Sequence, residues 1–580
     1  MERRQVESPS QRAPGPWRSA AAVALSMLGA AALAVDAGVP DAPLARSWLV
    51  AAQIALPWLA AIAAGDVRLL ALPGFGPTRR YRRAKGLAIE SGVALATLGW
   101  AVGLPAIAGG LAVAVCIAYA ISLTGVLSRT LRHPNLLLPA SFAAIILVCT
   151  LLLKLPAATP ADEPIGWIDA LFTATSATCV TGLAVRDTAS GFTLFGQAVI
   201  AGAIQLGGLG FMIFGSTLAL LFGVRPSYQE NLTLSAALDE YPAHRIMRFA
   251  WFIVLVTLVI EALGAVLLYF LWPESLSDGP GGRAWQAVFH SVSAFCNAGF
   301  DITGNSLIPM RTGAAPFLVI VPLIVTGGIG FLVLEDVTAY IRRRLRPRPG
   351  RQKPRLSTHS KIVLATTTCL LLAGFGVLFL AQSRMTGGAT ASVAADAAFM
   401  SVTARTAGFT VMPMEELSPG SRFMLMILMA IGGSPGSTAG GIKTAVFAVL
   451  VIAVYATVRG RDDVEAFGRT LPDALVKRAA MVAAGLLGVV TITTLVLDLT
   501  EDIAFEPLLF EVVSAASTTG LSLGATDDLS PFGRVVMTFT MFFGRIGALA
   551  LLGVLVQGVG GGIERALTRT QLPRDTVSLG

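Results

Sequence analysis

Long apolar runs recur along the chain from residue 19 to residue 560, and short loops rich in charged residues separate them. A helix crosses a hydrocarbon core of about 30 Å with roughly 20 residues. Four such runs lie before residue 136, and eight further spans are predicted near 136–155, 193–222, 248–271, 315–340, 362–382, 421–458, 479–499 and 531–560. The pattern predicts an all-α integral membrane protein, in which the longest runs must tilt or break.

The composition argues against a soluble protein. Hydrophobic residues make up 54% of the 580 positions and charged residues 13%, whereas roughly a quarter of a soluble domain is charged. The net charge of +8 lies in the loops between apolar runs, so a nucleic-acid partner is not predicted. The five cysteines include no CxxC pair, so neither a disulfide framework nor a zinc site is predicted.

Loop charges orient the predicted spans. The loops 66–86, 342–361 and 459–478 are rich in Lys and Arg, and such loops remain on the cytoplasmic side. The acidic side chains of 498–528 belong to a stretch without Lys or Arg and are predicted to face outward. This arrangement places both chain termini in the cytoplasm.

Four similar segments recur at nearly equal spacing. They read SATCVTGL (176–183), SAFCNAGF (293–300), VTARTAGF (402–409) and SAASTTGL (514–521), and their glycines are 117, 109 and 112 residues apart. Each run follows a short apolar piece that is too short to span a membrane. Ordinary helix packing accounts for one such glycine but poorly for four in the same frame. The predicted unit is a helix, a re-entrant segment and a helix, repeated four times.

A re-entrant segment can bind a cation through its backbone. A half-helix that descends from outside points its carbonyl end at the membrane centre, where its dipole favours positive charge. Glycine lets successive carbonyls point inward, and four such segments can replace the hydration shell of a monovalent cation. The predicted coordinating carbonyls belong to Cys179, Val180, Thr181, Gly182, Cys296, Asn297, Ala298, Gly299, Arg405, Thr406, Ala407, Gly408, Ser517, Thr518, Thr519 and Gly520.

The run GGSPGSTAGGIKT (432–444) interrupts the predicted span 421–458. Its five glycines and one proline oppose a helix by about 1 and about 3 kcal/mol per residue, respectively. We predict a flexible plug beneath the four segments, and a simple kink is the alternative. The run is not a phosphate-binding loop, because Ile442 separates Gly441 from Lys443 and no strand precedes it.

The remaining polar residues do not indicate an enzyme. The four histidines are dispersed, and neither an HExxH motif nor a clustered set of catalytic groups is present in the sequence. Arg545 lies in the apolar run FFGRIGALALLG of the last span. A charge at that depth is costly and normally faces a cavity or a partner, so Arg545 is a candidate functional residue.

In its sequence motifs the chain resembles the Trk/Ktr/HKT superfamily of potassium transporters, most closely the bacterial Ktr- and Trk-type pore subunits. The resemblance covers residues 136–580 and rests on SATCVTGL, SAFCNAGFD, TARTAGFT, TTGLSLG, LSTHSKIVL, GGSPGSTAGGIKT, GRDDVEAFGR and FGRIG. It implies potassium uptake across the bacterial cytoplasmic membrane by a homodimer with one pore per subunit. It also implies a cytosolic RCK-type nucleotide-binding regulatory subunit, so that a nucleotide acts only through this partner and no cofactor is covalently bound.

The resemblance also implies roles for particular residues. Arg545 lies below the filter as an electrostatic barrier, and Lys443 repels potassium when the loop is in place. The implied gate comprises Gly432, Gly433, Ser434, Pro435, Gly436, Ser437, Thr438, Gly440, Gly441, Lys443 and Arg545. Glycine in all four segments is the pattern associated with potassium, and serine in the first segment is associated with sodium. The chain departs from the family pattern at Cys179 and at 516–519.

The predicted units follow the four segments. They are the extra N-terminal transmembrane helices 1–135, pore repeats 136–224, 225–343 and 344–460, and a fourth pore repeat with the C-terminal tail at 461–580. Three alternatives to a potassium pore remain open at this point. They are a sodium-permeable or cation-coupled transporter of the same fold, a membrane-embedded enzyme, and a non-conducting sensor or scaffold.

Overall fold

A computed structural model of the chain describes residues 137–221, 243–277, 279–345, 355–461 and 463–547. Helices dominate these residues, together with one two-stranded sheet. The four helices predicted before residue 136, both chain termini and the last part of the span predicted at 531–560 lie outside the described residues.

Fourteen α-helices are described in these parts of the chain. They are α1 Leu137–Leu153, α2 Trp167–Cys179, α3 Leu194–Leu221, α4 Ala243–Leu271, α5 Gly279–Cys296, α6 Val321–Ile329, α7 Phe331–Leu345, α8 Thr358–Thr386, α9 Ala391–Thr403, α10 Pro419–Ala430, α11 Thr444–Val458, α12 Asp473–Thr500, α13 Phe505–Ser517 and α14 Pro531–Ile546. A π-turn at Pro316–Ile320 leads into α6. Strands β1 Val464–Ala466 and β2 Arg469–Leu471 form an antiparallel hairpin between α11 and α12.

Several helices are long and apolar enough to cross a membrane. Among the described residues these are Trp251–Leu271 within α4, all of α8 and all of α12. Large apolar side chains stand exposed on them, for example Trp251 and Phe270 on α4 and Leu499 on α12. Such exposure is expected where lipid rather than water surrounds the helix.

The span predicted at 315–340 is broken rather than continuous. Helices α6 and α7 meet at Gly330 with a bend of 102°, and Gly330 has a φ of +95° that only glycine adopts readily. The break interrupts the helical hydrogen bonds, and backbone groups freed in this way at membrane depth need other partners.

Four short helices precede the four sequence segments. Helices α2, α9 and α13 have 13 residues each, and α5 has 18. Helix α5 is longer than the apolar piece at 284–294 because the helix begins at Gly279. Each helix ends within the segment, and the chain beyond it is not helical.

Helix ends coincide with capping residues in the sequence. Ser357, Ser418 and Ser530 each accept a hydrogen bond from a backbone N–H in the first turn of α8, α10 and α14. A proline occupies the first position of α10 and α14, where its missing N–H is harmless. These residues set where the helices begin.

The chain divides into two compact units. Among the described residues, the first contains 137–174, 185–203 and 221, and the second contains the others. Within the first unit, the backbone N–H of Thr193 donates to Ala158 O at 3.0 Å, and Arg186 pairs with Glu163 at 2.8 Å. The second unit contains all four segment glycines, the run 432–444 and Arg545.

Candidate functional site

The structure brings the four segment glycines together in a closed ring. We call this set, Gly182, Gly299, Gly408 and Gly520, the glycine ring. A Cβ added to any one of them would strike the backbone of the next segment, and the fourth would strike the first. The carbonyl oxygens struck are those of Ala298, Ala407, Thr519 and Thr181, in that order around the ring. No side chain larger than hydrogen fits at these positions.

Backbone conformation repeats from segment to segment. The four glycines have φ of +94°, +72°, +82° and +91° in chain order. Two residues before each glycine, a non-glycine residue also has positive φ, and these residues are Val180, Asn297, Thr406 and Thr518. Positive φ is uncommon outside glycine and is strained for a β-branched residue such as Val180. The four segments therefore share one unusual backbone path.

Hydroxyl groups at the helix ends hold this path in place. Ser176 Oγ accepts from Gly182 N at 3.1 Å, and Ser514 Oγ accepts from Gly520 N at 3.0 Å. In the other two segments, Ser293 Oγ donates to Phe300 O and Thr403 Oγ1 donates to Phe409 O, each at 2.7 Å. In each of the four runs, a hydroxyl group therefore stabilises the backbone through a hydrogen bond.

The twelve non-glycine side chains in the four predicted coordinating runs are all buried. The polar groups that the runs can offer a ligand at the ring are therefore chiefly backbone carbonyls. The hydroxyls of Thr181, Thr406 and Thr518 are also buried, without a hydrogen-bond partner among the described atoms. Oxygen donors of this kind suit a hard monovalent cation. The described residues contain no group of three His, Cys, Asp or Glu side chains that could hold a metal ion.

The predicted plug lies against the third and fourth segments. Helix α10 ends at Ala430 and α11 begins at Thr444. We call residues 431–443 the intramembrane loop, because they interrupt a predicted membrane span. A Cβ on Gly440 would lie 2.5 Å from Ser517 O, and one on Gly432 would lie 3.0 Å from Thr406 Cγ2. The loop is therefore in contact with the segments next to the glycine ring.

The broken helix α6–α7 holds the intramembrane loop from another side. Ser434 N donates to Gly328 O at 2.9 Å, and Phe331 N donates to Gly436 O at 2.9 Å. A longer bond of 3.4 Å joins Thr438 N to Gly327 O. The carbonyl and N–H groups freed by the bend at Gly330 thus bond to the loop, which explains how the break is tolerated at membrane depth.

Arg545 bonds to the intramembrane loop and to α3. It is 6% exposed, its Nη1 donates to Thr438 O, and its Nη2 donates to Gly207 O at 2.8 Å. Lys443, predicted to place a charge near the ion path, donates from Nζ to Ala439 O at 2.5 Å within its own loop. Both cations bond to carbonyl oxygens of the loop.

Sequence reasoning missed two contacts of the segments. Arg405 was predicted to contribute only its carbonyl, yet its buried guanidinium Nη2 donates to Gly432 O at 3.0 Å. Glu261 of α4 accepts a hydrogen bond from Gln205 Nε2 at 3.1 Å and lies 3.7 Å from Cys296 Sγ. A charged residue within an apolar or small-residue run was the available signal for both.

An ion pair joins the loop before α6 to helix α9. Arg311, in the loop before α6, contacts both carboxylate oxygens of Asp396 on α9, with distances of 2.6 to 3.1 Å. The hydrogen bond to Asp396 raises the pKa of Arg311 above its ordinary value. The Asp396 side chain is only 3% exposed and that of Arg311 is 37% exposed, so a buried carboxylate on α9 pairs with a partly solvated guanidinium.

The chain is similar in sequence to known cation transport proteins. Residues 110–556 match the TrkH family, described as a cation transport protein. The chain is 36% identical to the potassium/sodium uptake protein NtpJ of Enterococcus hirae, over 78% of this chain and 98% of that protein. It is 34% identical to the Ktr system potassium uptake protein B of Bacillus subtilis, over 72% of this chain and 92% of that protein.

A solved structure shows the same fold. The crystal structure of the potassium transporter TrkH from Vibrio parahaemolyticus superimposes with a TM-score of 0.59, covering 93% of this chain and 98% of that one. The sequence identity is 18%, so this likeness concerns the fold alone.

Proposed function

Because the chain belongs to the TrkH family of cation transport proteins, we propose that it is the membrane subunit of a potassium-uptake system. Family members are transporters, and relatives at 34% and 36% identity are named for uptake of potassium or of potassium and sodium. The observation that carries the proposal is the glycine ring, in which four segments meet through backbone alone.

The proposed filter consists of the backbone carbonyls of the four segments, arranged as four pore-loop repeats around one axis. Positive φ at two positions in each segment reverses the direction of successive peptide groups, which lets neighbouring carbonyls face the same axis. The three partnerless threonine hydroxyls add oxygen ligands. A dehydrated potassium ion requires such a set of oxygens in place of water.

The proposed gate is the intramembrane loop together with Arg545. Its contacts with Thr406 and with Ser517 O support a position directly next to the filter, and the proposal places it on the cytoplasmic side. Arg545, bonded to Thr438 O, would hold the loop and oppose cations electrostatically. Lys443 adds a second positive charge to the loop.

The proposed assembly and regulation rest on the family resemblance. We propose a homodimer in the bacterial cytoplasmic membrane, with both termini cytoplasmic and with an RCK-type nucleotide-binding partner on the cytoplasmic side. Similar proteins in Bacillus subtilis and Vibrio alginolyticus are named as proteins of Ktr systems, which supports a multi-component system. Positive loops at 342–361 and 459–478 provide the cytoplasmic surface for such a partner.

Sodium permeation is a second candidate function. The relative from Enterococcus hirae is named for potassium and sodium uptake, and the first and fourth segments depart from the family pattern at Cys179 and 516–519. Glycine at all four ring positions favours potassium as the main ion, with sodium carried more weakly.

Ion flux in proteoliposomes tests the proposal. The purified chain, reconstituted with a potassium-loaded interior, is expected to release potassium when a membrane potential is imposed, and to release sodium more slowly under the same potential. Potassium-dependent growth of an uptake-deficient host that expresses the chain is the cellular counterpart. Absence of flux and of growth from a chain shown to be folded and inserted would refute the transport proposal.

A further inference from the structure

Arg405 is out of place for a residue that contributes only a carbonyl. It stands three residues before Gly408, where the other segments have Cys179, Cys296 and Ser517. Its side chain is 7% exposed, and no ion pair to it is present in the described part of the chain. Burying a guanidinium without an anionic partner is costly, so a compensating use is expected.

The guanidinium reaches the intramembrane loop. Its Nη2 donates to Gly432 O at 3.0 Å, and Gly432 is the second residue after α10 ends. The neighbouring residue Thr406 also approaches Gly432, since a Cβ there would lie 3.0 Å from Thr406 Cγ2. Arg405 therefore belongs to the third segment through its backbone and contacts the intramembrane loop through its side chain.

A small cavity lies beside the guanidinium. It has a volume of about 20 Å³ and is lined by Arg405, Asn297, Thr367 and Gly433 among others. Arg405 Nε and Thr367 Oγ1 are buried and have no hydrogen-bond partner among the described atoms. A cavity of this size holds one water molecule, which would be a partner for Arg405 Nε. Other lining residues, among them Ile324, Val325 and Leu371, are apolar.

We propose that Arg405 is a positioning residue that couples the intramembrane loop to the third segment of the filter. With the loop in place, its guanidinium holds Gly432 O and stabilises the closed arrangement. When the loop moves, this bond breaks and Arg405 is released. The backbone carbonyl of Arg405 is one of those that face the ion in the proposed filter. The charged residue occurs in the repeat that carries the loop, and the proposal rests on the function proposed above.

A double-mutant cycle on potassium flux tests the coupling. Arg405→Met is expected to raise the basal flux of the purified chain about tenfold, because a hydrogen bond to a charged group is lost from the closed state only. Arg405→Lys, which keeps a charged donor, should give a smaller rise. In a chain lacking residues 432–440, Arg405→Met should change the flux less than twofold, because the carbonyl of Gly432 that it holds is gone.

Arg422→Met is the matched control. Arg422 belongs to the same repeat but contacts Glu506 at 3.5 Å and Glu415 O at 3.1 Å, not the loop, and its substitution should leave the basal flux unchanged. Equal effects of Arg405→Met in the intact and the loop-deleted chain would overturn the proposal. So would an unchanged basal flux of Arg405→Met in the intact chain.

A labelling experiment reads the loop without any transport. Ser437 is 1% exposed, so a cysteine placed there by Ser437→Cys reacts slowly with a membrane-impermeant thiol reagent while the loop is closed. Arg405→Met and Arg405→Lys should both speed this labelling, the former about tenfold, relative to Ser437→Cys alone. The chain without Ser437→Cys gives the background labelling of the native cysteines. Unchanged labelling would refute the coupling, whereas absence of flux from the wild-type chain would refute the transport function instead.

Discussion

Replacing Gly408 by alanine perturbs the glycine ring at a point where the structure leaves no room. An added Cβ would lie 2.5 Å from Thr519 O, 3.1 Å from Gly299 Cα and 3.3 Å from Gly520 Cα. All three are backbone atoms of other segments, so rotation of a side chain cannot relieve the contact. The φ of +82° at Gly408 adds about 1–2 kcal/mol for any residue with a Cβ.

The expected displacement follows from these distances. Ordinary contacts of a Cβ begin at 3.4 Å, so the Thr519 carbonyl must move by about 0.9 Å. Displacements of about 1 Å disrupt ligand geometry enough to cost on the order of 100-fold in other preorganised sites. We expect Gly408→Ala to reduce potassium flux at least tenfold and to weaken the preference for potassium over sodium.

The assay is flux of both ions into proteoliposomes that contain equal amounts of each variant. Gly376→Ala in α8 is the control, because a Cβ there meets no atom within 4 Å, and its flux should equal that of the wild type. Size-exclusion profiles and thermal unfolding show whether the variants are folded. Wild-type flux and ion preference in folded Gly408→Ala would refute the assignment of the glycine ring to the filter.

Three further predictions concern other parts of the site. Gly182→Ser should raise sodium uptake relative to potassium uptake in a competition assay, and an unchanged ratio would count against the first segment as part of the filter. Arg545→Met removes the donor to Thr438 O and should raise basal potassium flux, whereas lower flux would contradict a barrier role. Asp396→Ala should lower the midpoint of thermal unfolding by several degrees, because it leaves Arg311 without its bidentate partner. Adding Arg311→Ala to this variant should lower the midpoint little further. If the two substitutions lowered the midpoint by fully additive amounts, coupling between the residues would be excluded.

Local sequence signals predicted the interruption of the long helix at 432–444. Glycine and proline cannot sustain a helix there, and the structure ends α10 at Ala430 and resumes at Thr444. The glycines of the four segments were likewise identifiable from their spacing. Their approach to one another in a ring depends on tertiary packing, but the fixed frame of each segment made a shared site a reasonable expectation.

Other features could not be predicted because they depend on residues far apart in the chain. The bend at Gly330 is tolerated through bonds to Ser434 and Gly436, which are about a hundred positions away. The contact of Arg405 with Gly432 O depends on how the third segment folds back on the loop. Periodicity and composition describe single elements, and neither reports which carbonyl a buried arginine will reach.

Anomalous diffraction from rubidium ions tests the central claim most directly, because rubidium substitutes for potassium at oxygen sites. Crystals of the protein grown in rubidium should show a peak on the axis enclosed by Gly182, Gly299, Gly408 and Gly520, within reach of the carbonyls that precede them. The peak should weaken when potassium is added and persist when the same concentration of sodium is added. A glycine ring without rubidium, in crystals of a protein that transports rubidium, would contradict the account.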